Sequence, residues 1–376
     1  MELRIIDDKN TWNSFIENNN FPFYSFLSSW EWWEFKKDFW FPVLRYGIYR
    51  NEELIGVLPM IKTKAKRWTY LFVPHTPLII NNEELRIKNF KEEQNNNKSW
   101  ENPKILQKTW NPDKYYFDVL EKIKPQLIEI AKKEWASFIR FNPPVENTKE
   151  NYQAFAKLGF RNAPIHEHAE DTHLLDLTKS EEELFMQIKK KDRYYINRAI
   201  KEWVEVINSN DEKYVDIMIK MHQEHSKKVG YHPFSEKYIK NLYKHFPNNI
   251  NTISTWYNGQ IESILMTIKF WKTCVYYVAV SDIKSKKFSP NYLCQWEAIK
   301  QAKKDGAEVY NFWWVAPDDN PKHPLQGVSW FKRKWWGYDY FLVHAQDLVV
   351  SPKYWITWAI ETARRIKRWY YYKIKN

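Results

Sequence analysis

The order of its predicted elements gives this chain an α+β fold with mixed sheets in two domains, and three observations carry that reading. The chain has 376 residues and a mass of 46.0 kDa, more than one simple hydrophobic core ordinarily serves. Apolar residues make up 44% of it, enough to bury two cores and to set disorder aside. Each half runs through a similar programme of helix, antiparallel strands, helix and strand.

In the first half, Ser28 or Ser29 caps a short helix that runs to Asp38. Strands follow at 43–50 and 54–61 across the polar turn 51–53, with a third at 69–73. Residues 81–112 are polar, Asn-rich and aperiodic, and read as a surface insertion. A helix over 113–133 leads into a strand at 136–141, which Pro143 and Pro144 stop. A boundary falls in 159–164. The second half opens with a strand at 173–177, then a helix capped by Thr178 or Ser180 with Glu181, Glu182 and Glu183 in its first turn, where acidic groups suit the helix dipole. That helix runs on into KKKDRYYINRAIKEW. Helices at 211–228 and 235–245 precede strands at 251–257, 260–271 and 274–281. A helix at 290–304, a strand at 309–314 and a helix at 351–372 close the pattern.

The net charge of +12 points to polyanionic partners, whether nucleic acid, nucleotide-linked sugars or an anionic membrane face, and equally to a Lys-rich soluble surface. No basic run is clean enough for a nucleic-acid tail. The 21 Trp and 24 Tyr exceed what a core needs and also suit grooves for large, partly polar ligands. Two cysteines, Cys274 and Cys294, make no disulfide framework and fit a reducing cytoplasm. MELRIIDDKNTW puts charges where a signal peptide needs an apolar core, and no run of about 18 apolar residues predicts a membrane span.

The stretch 310–337, YNFWWVAPDDNPKHPLQGVSWFKRKWWG, concentrates the candidate chemistry. A strand breaks at Pro317, Pro321 and Pro324 and resumes as a short helix carrying Phe331, Lys332, Arg333 and Lys334. Backbone amides and an ammonium meeting there suit an anionic transition state; a Trp-rich hairpin with a solvated basic face is the plainer account. Lys189, Lys190, Lys191 and Arg193, with Tyr194, Tyr195 and Arg198, form the densest basic-aromatic segment, fit to clamp a phosphate or simply to face solvent. His222 and His225 sit three apart on a helix and could face one metal, but no third ligand is placed nearby. His166, His168 and His173 cluster with Glu167, Glu170 and Asp171, a more metal-like set whose plainer account is a polar loop. The chain has no G-x-x-x-x-G-K-[ST], G-x-G-x-x-G or G-x-S-x-G motif. Nor does it hold the Q/R-x-x-G-x-G/A pyrophosphate loop of coenzyme A-dependent N-acetyltransferases; SDIKSKKFSPNYL stands in that place.

Several stretches in order resemble the Fem family of peptidoglycan interpeptide-bridge aminoacyltransferases. These are FLSSWEWWEFKKDFW, YLFVPHTPLI, FIRFNPP, THLLDLTKSEEELFMQIKKKDRYYINRAIKEWVEV, SPNYLCQWEAIKQAKKDGAEVYNFWWV and GVSWFKRKWWGYDY. The resemblance spans nearly all the chain except 81–112. It implies two N-acetyltransferase-like domains facing each other, 1–160 with 350–376 and 161–349, the C-terminal helix packing back on the first. The implied activity moves an amino acid from aminoacyl-tRNA to the stem-peptide amine of a UDP-linked or lipid-linked peptidoglycan precursor, without metal or cofactor, in the cytoplasm. Only 208–245 lies where some members insert a coiled-coil arm, so arm-less members compare best. By position, Lys36 and Arg193, with Lys191 beside it, match residues that contact the precursor's phosphates. Phe331 and Lys332 match the pair at the reaction centre, and Tyr277 falls in the substrate cleft. His75 and Thr76 replace the usual Arg and Gly, and FWWV lacks the usual glycine, so that Trp314 reshapes that wall.

An aminoacyl ester is already activated, so the expected chemistry needs charge stabilisation by Lys332 and the alignment of two large substrates. Phosphate contacts to tRNA would use the basic excess. The alternatives are an acyltransferase on the same fold using coenzyme A or another donor, and a non-catalytic RNA or precursor binder. The C-terminal helix places Trp355, Ala359, Ala363 and Ile366 on one stripe beside Arg364, Arg365, Lys367 and Arg368, read either as domain packing or as peripheral contact with the inner face of the plasma membrane.

Overall fold

A computed structural model describes residues 1–19, 21, 23–65, 68–80, 113–282, 289–316, 323 and 325–374. The stretches 81–112 and 283–288, Pro317, Pro321 and Pro324 lie outside the described residues, as do the side chains from Arg368 onward. The chain divides into two units, Met1–Glu170 with Phe341–Asn376, and Asp171–Tyr340. The crossings fall at 170/171 and 340/341, later and earlier than the expected 160/161 and 349/350.

Unit 1 is built from β1 (Glu2–Ile5), α1 (Lys9–Glu17), α2 (Trp30–Lys37), β2 (Val43–Arg50), β3 (Glu53–Lys64), β4 (Thr69–Pro74), β5 (Leu78–Ile79), α3 (Asp113–Lys133), β6 (Ala136–Asn142), α4 (Lys149–Lys157) and β7 (Phe160–Asn162). After unit 2 the chain returns with β15 (Gln346–Val349) and α11 (Tyr354–Ile374). The strands pair in the order β1-β2-β3-β4-β6-β15-β7, with β5 on β3. β4 and β6 run parallel, and their pairing continues to Pro74 opposite Asn142. Ser29, the second of the two candidate caps, accepts from the Trp32 amide to start α2. α3 buries Tyr116, Val119, Leu120, Ile123, Leu127 and Ala131 at helical spacing against Leu58, Leu71, Ile139 and Phe141 of the sheet. β7 pairs with β15, which keeps residues 160–162 in the first sheet and moves the boundary beyond them.

α11 belongs to unit 1, but not through the expected stripe. Trp355, Ala359, Ala363 and Ile366 face outward, and the buried positions are Tyr354, Thr357 and Glu361. The cause is Arg140 of β6, which is fully buried. Its guanidinium takes Asp347 in two 2.8 Å hydrogen bonds and reaches Glu361 at 2.8 Å, so the helix docks by its polar face.

Unit 2 comprises β8 (Asp171–Asp176), α5 (Glu181–Gln187), α6 (Lys190–Lys201), β9 (Glu205–Asn208), α7 (Glu212–Val229), α8 (Glu236–His245), β10 (Ile250–Tyr257), β11 (Gln260–Phe270), β12 (Thr273–Ser281), α9 (Pro290–Lys304), β13 (Val309–Trp314), α10 (Gln326–Arg333) and β14 (Tyr338–Phe341). Its sheet runs β14-β8-β13-β12-β11-β10-β9. Ser180 and Glu183 form a reciprocal capping box on α5. The single helix expected through 181–203 is two, because Ile188 and Lys189 take extended backbone between α5 and α6. Gly337 has φ of +106°, and a Cβ there would lie 2.1 Å from the Leu174 carbonyl oxygen, so only glycine fits.

β12 and β13 are parallel but paired over just three residues each, from Thr273 opposite Val309 to Val275 opposite Asn311. Both strands are irregular at the point where they part. β12 carries an extra residue, Tyr277, between the Met266–Val278 and Thr267–Tyr276 pairings. The register of β13 on β8 shifts between Asn311 and Trp314. Bulges of this kind end pairing and re-aim side chains, and here they leave the parallel pair splayed.

Candidate active site

α10 brings its side chains to the end of that splay. Its buried residues, Gln326, Ser329 and Lys332, recur every three positions and are all polar, an unusual content for a hidden helix face. Ser329 receives the Ala316 amide at 2.7 Å and donates to the Leu325 carbonyl at 2.7 Å, which fixes the start of α10 against the end of β13. The Lys332 ammonium donates to the Trp314 carbonyl at 2.7 Å and lies 5.7 Å from the centre of the Tyr276 ring. Among the described residues no carboxylate pairs with it. Burial without a counter-charge pushes its pKa down from the ordinary 10.5 to about 7.

Tyr277, at the β12 bulge, shares a 2.7 Å hydrogen bond between hydroxyls with Tyr238 of α8 and stacks on Phe234 at 5.5 Å. Across the splay its ring lies 6.5 Å from that of Trp313. Phe331 packs edge-on to Tyr292 of α9 at 5.3 Å, and Tyr292 lies 5.1 Å from Tyr195 of α6. Lys334 donates to the Tyr292 hydroxyl at 2.6 Å and lies 3.4 Å from Asp192 of α6. Lys332 thus lies by Tyr276, Tyr277 by Trp313, and the basic helix α6 is tied to Phe331 through Tyr292.

The basic helix itself is arranged otherwise than a phosphate clamp. The Arg193 guanidinium donates to the carbonyls of Met186 and Ile188 at 2.5 and 3.0 Å, closing the C-terminal end of α5. Lys191, on the same helix, is exposed.

Lys36 belongs to unit 1. Its ammonium lies 4.6 Å from the Trp32 ring centre and 5.6 Å from that of Phe41. Burial lowers its pKa to about 8, against the opposing field of Glu167. Glu167 in turn accepts from the Tyr70 hydroxyl at 2.7 Å. His168 stacks on Phe72, and His75 bonds the Ala169 carbonyl at 2.8 Å; burial drives the pKa of both imidazoles down, that of His75 to about 4. With a pKa of about 8 the Lys36 ammonium stays largely charged at about pH 7, and an anion beside it would raise that value again.

The two histidine groupings resolve differently from their sequence spacing. His222 accepts the Phe234 amide at Nε2 and bonds the Tyr231 hydroxyl at Nδ1, 3.2 and 3.0 Å away, so neither nitrogen is left to share a metal with His225. Instead it orders the segment that holds Phe234 against Tyr277. His173 pairs with Asp339, apart from His166, which pairs with Glu170. Sequence reasoning missed Gln326, Ser329, Tyr238 and Tyr276. For the first two the available signal was the polar i, i+3, i+6 series leading to Lys332.

Residues 187–322 match the family model described as "Acetyltransferase (GNAT) domain", about a third of the chain and within unit 2. Among solved structures the chain resembles the crystal structure of FemX at 16% identity, TM-score 0.75, over 95% of this chain and 99% of that one. It also resembles a conserved protein of unknown function from Bacteroides thetaiotaomicron VPI-5482 at 12% identity, TM-score 0.54, over 92% and 99%. No curated protein matches by sequence. Among the described residues no helix is long and apolar enough to cross a membrane.

Proposed function

Proceeding from the tandem N-acetyltransferase-like fold shared with FemX, we propose that the chain is an aminoacyltransferase of Fem type. It moves an amino acid from aminoacyl-tRNA to the stem-peptide amine of a UDP-linked or lipid-linked peptidoglycan precursor. The observation that carries this reading is Lys332, a buried ammonium with no carboxylate partner among the described residues, at the end of a splayed strand pair. The amine attacks the ester carbonyl, a carbon–nitrogen bond forms, and charge collects on the carbonyl oxygen. When the ester bond breaks, the ribose oxygen leaves and takes up the proton that the amine gives away. Lys332, in a site of low polarity, offsets the oxyanion charge; a single such donor contributes about 3–4 kcal/mol. Phe331 and Tyr277 wall the acyl group, and Lys36 holds the precursor's phosphates. The positive surface serves tRNA, whose recognition rests largely on phosphate and shape. Lys191, exposed at the start of α6, contributes to that surface, whereas Arg193 is given to α5.

The outward stripe of α11, with Trp355, Ile356, Trp358 and Ile366 exposed beside Arg364 and Arg365, supports peripheral contact with an anionic membrane face carrying the lipid-linked precursor. The match to the acetyltransferase model keeps a second reading in view, an acyl-coenzyme A donor at the same splay. One experiment separates the two. Labelled amino acids on a charged total tRNA pool, and labelled acyl-coenzyme A, are each offered with both precursor forms. Transfer from tRNA that is abolished by ribonuclease supports the proposal. Transfer from coenzyme A alone replaces it, and no transfer from either by folded protein removes it.

A further inference from the structure

Where the chain leaves unit 1 and where it returns, three ligating groups meet. Glu170, buried, has its two oxygens in different company. Oε1 accepts from the Asn142 side-chain amide and the Ala345 backbone amide, each at 2.9 Å. Oε2 faces His166 Nδ1 at 2.5 Å and His344 Nδ1 at 2.8 Å. The other nitrogen of His344 donates to the Ala163 carbonyl at 2.7 Å, so in the neutral ring Nδ1 carries the lone pair. That lone pair points at a carboxylate oxygen, and two acceptors at this distance require positive charge on or between them. All three ligand atoms lie within 4.8 Å of one another, and the exposed ring of His166 leaves the far side open to water. Two imidazoles and a carboxylate, one imidazole fixed through its other nitrogen by a backbone carbonyl, form the donor set that takes zinc-class ions with water as fourth ligand.

We propose that His166, Glu170 and His344 bind one divalent transition-metal ion that clamps the outgoing segment 163–170 to the returning segment 342–345. No step of the aminoacyl transfer passes through it. The test takes the full chain stripped by chelator and titrates it with Zn2+ against a chromophoric competitor, and with Co2+ read by its d–d absorption. The expected result is one ion per chain with a four-coordinate cobalt spectrum, and a Tm raised by the metal. His166→Ala, a change at an exposed ring, is expected to weaken binding about 10- to 100-fold without unfolding the apo chain. An unmodified chain that binds no stoichiometric ion, or His166→Ala and His344→Gln chains that bind as tightly as it does, would overturn the site.

A separate observation concerns tryptophan. Six tryptophans, Trp40, Trp135, Trp203, Trp271, Trp313 and Trp336, have φ between +50° and +67°, against four other non-glycine residues in that region. Bulky side chains avoid it. Trp135 and Trp203 each stand two residues past a helix end, with their amides on Lys132 and Ile200. Gly159 and Gly306 stand at the same offset past α4 and α9, with amides on Ala156 and Lys303. The following amide closes the same 6→1 turn in both kinds, Val204 to Ala199 and Ala307 to Ala302. At three of the six little packing offsets the strain: Trp40, Trp135 and Trp203 are 89, 87 and 90% exposed. Glycine, ordinarily roughly 7% of residues, supplies only 8 of 376 while tryptophan supplies 21.

We infer that the protein made in its own cell carries glycine at these six positions, as happens where the UGA codon, tryptophan in some genetic codes, is read as glycine. At residue 313 this leaves bare backbone opposite Tyr277. Peptide mass spectrometry of the protein isolated from its source is expected to find glycine at 135 and 203; tryptophan at both ends the inference. In recombinant protein of the sequence printed here, Trp135→Gly with Trp203→Gly is expected to raise Tm by roughly 5 °C or more. A lower Tm would remove its physical basis.

Discussion

Replacing Lys332 by methionine should separate the two consequences of burying that ammonium. The group releases its proton near pH 7 in the folded chain and near pH 10.5 when unfolded. Between those values the unfolded chain holds a proton that the folded chain has lost, so stability rises with pH through the window. Below about pH 7 both forms are protonated and the full cost of a buried charge is present. At about 1.36 kcal/mol per pKa unit, that cost is about 5 kcal/mol. Methionine has similar length and removes the charge, but it forfeits the bond to the Trp314 carbonyl and leaves that oxygen unpaired, a loss of about 2 kcal/mol. Lys332→Met should therefore be more stable than the unsubstituted chain by about 3 kcal/mol at pH 6, with the advantage shrinking at pH 8 and gone by pH 10. Urea unfolding at the three pH values reads this directly. Aminoacyl transfer by the same variant should fall 100- to 1,000-fold in kcat. A stability difference that is flat with pH, or grows with it, would refute the burial argument. Turnover within a few-fold of the unsubstituted chain would refute the oxyanion role.

Lys36→Met should raise KM for the precursor about 10-fold or more with a smaller change in kcat, because one charge-assisted contact to phosphate is lost; steady-state kinetics with varied precursor decides it. Arg193→Ala should lower stability by about 2 kcal/mol in urea titration while leaving KM for the precursor unchanged, since its guanidinium serves the carbonyls of Met186 and Ile188. Asp347→Ala should cost about 3–5 kcal/mol, because the fully buried Arg140 then loses its bidentate partner, and the loss should show in the thermal unfolding of the chain.

Local chemistry made much of the fold readable. Ser29 and Ser180 announced their helices because a side-chain cap needs only neighbouring residues, and the polar turn at 51–53 set apart the first two strands. What stayed hidden depends on contacts distant in sequence. The break at Ile188 carries no glycine or proline, and the guanidinium that closes α5 comes from the next helix. The apolar stripe on α11 looked like a packing face, yet Arg140, some 200 residues earlier, selects the opposite side. β7 and β15 are short, and only their pairing within the sheet, β15 on β6 and β7 on β15, defines them. Phe331 and Lys332 were found through family resemblance, and their placement at a splay was not legible because strand register is a property of pairs. His344, which completes the Glu170 cluster, could not be joined to His166 from spacing alone.

The parallel pairs of the two sheets differ in one respect that bears on inhibition. β4 and β6 are hydrogen-bonded to the end, so a molecule entering between them would have to break a ladder. β12 and β13 are paired with each other over only three residues, so beyond Val275 and Asn311 there is no mutual ladder to break. An extended, amide-bearing inhibitor designed to lie between parallel strands therefore has its address in unit 2. Internal duplication of the scaffold does not double its targets.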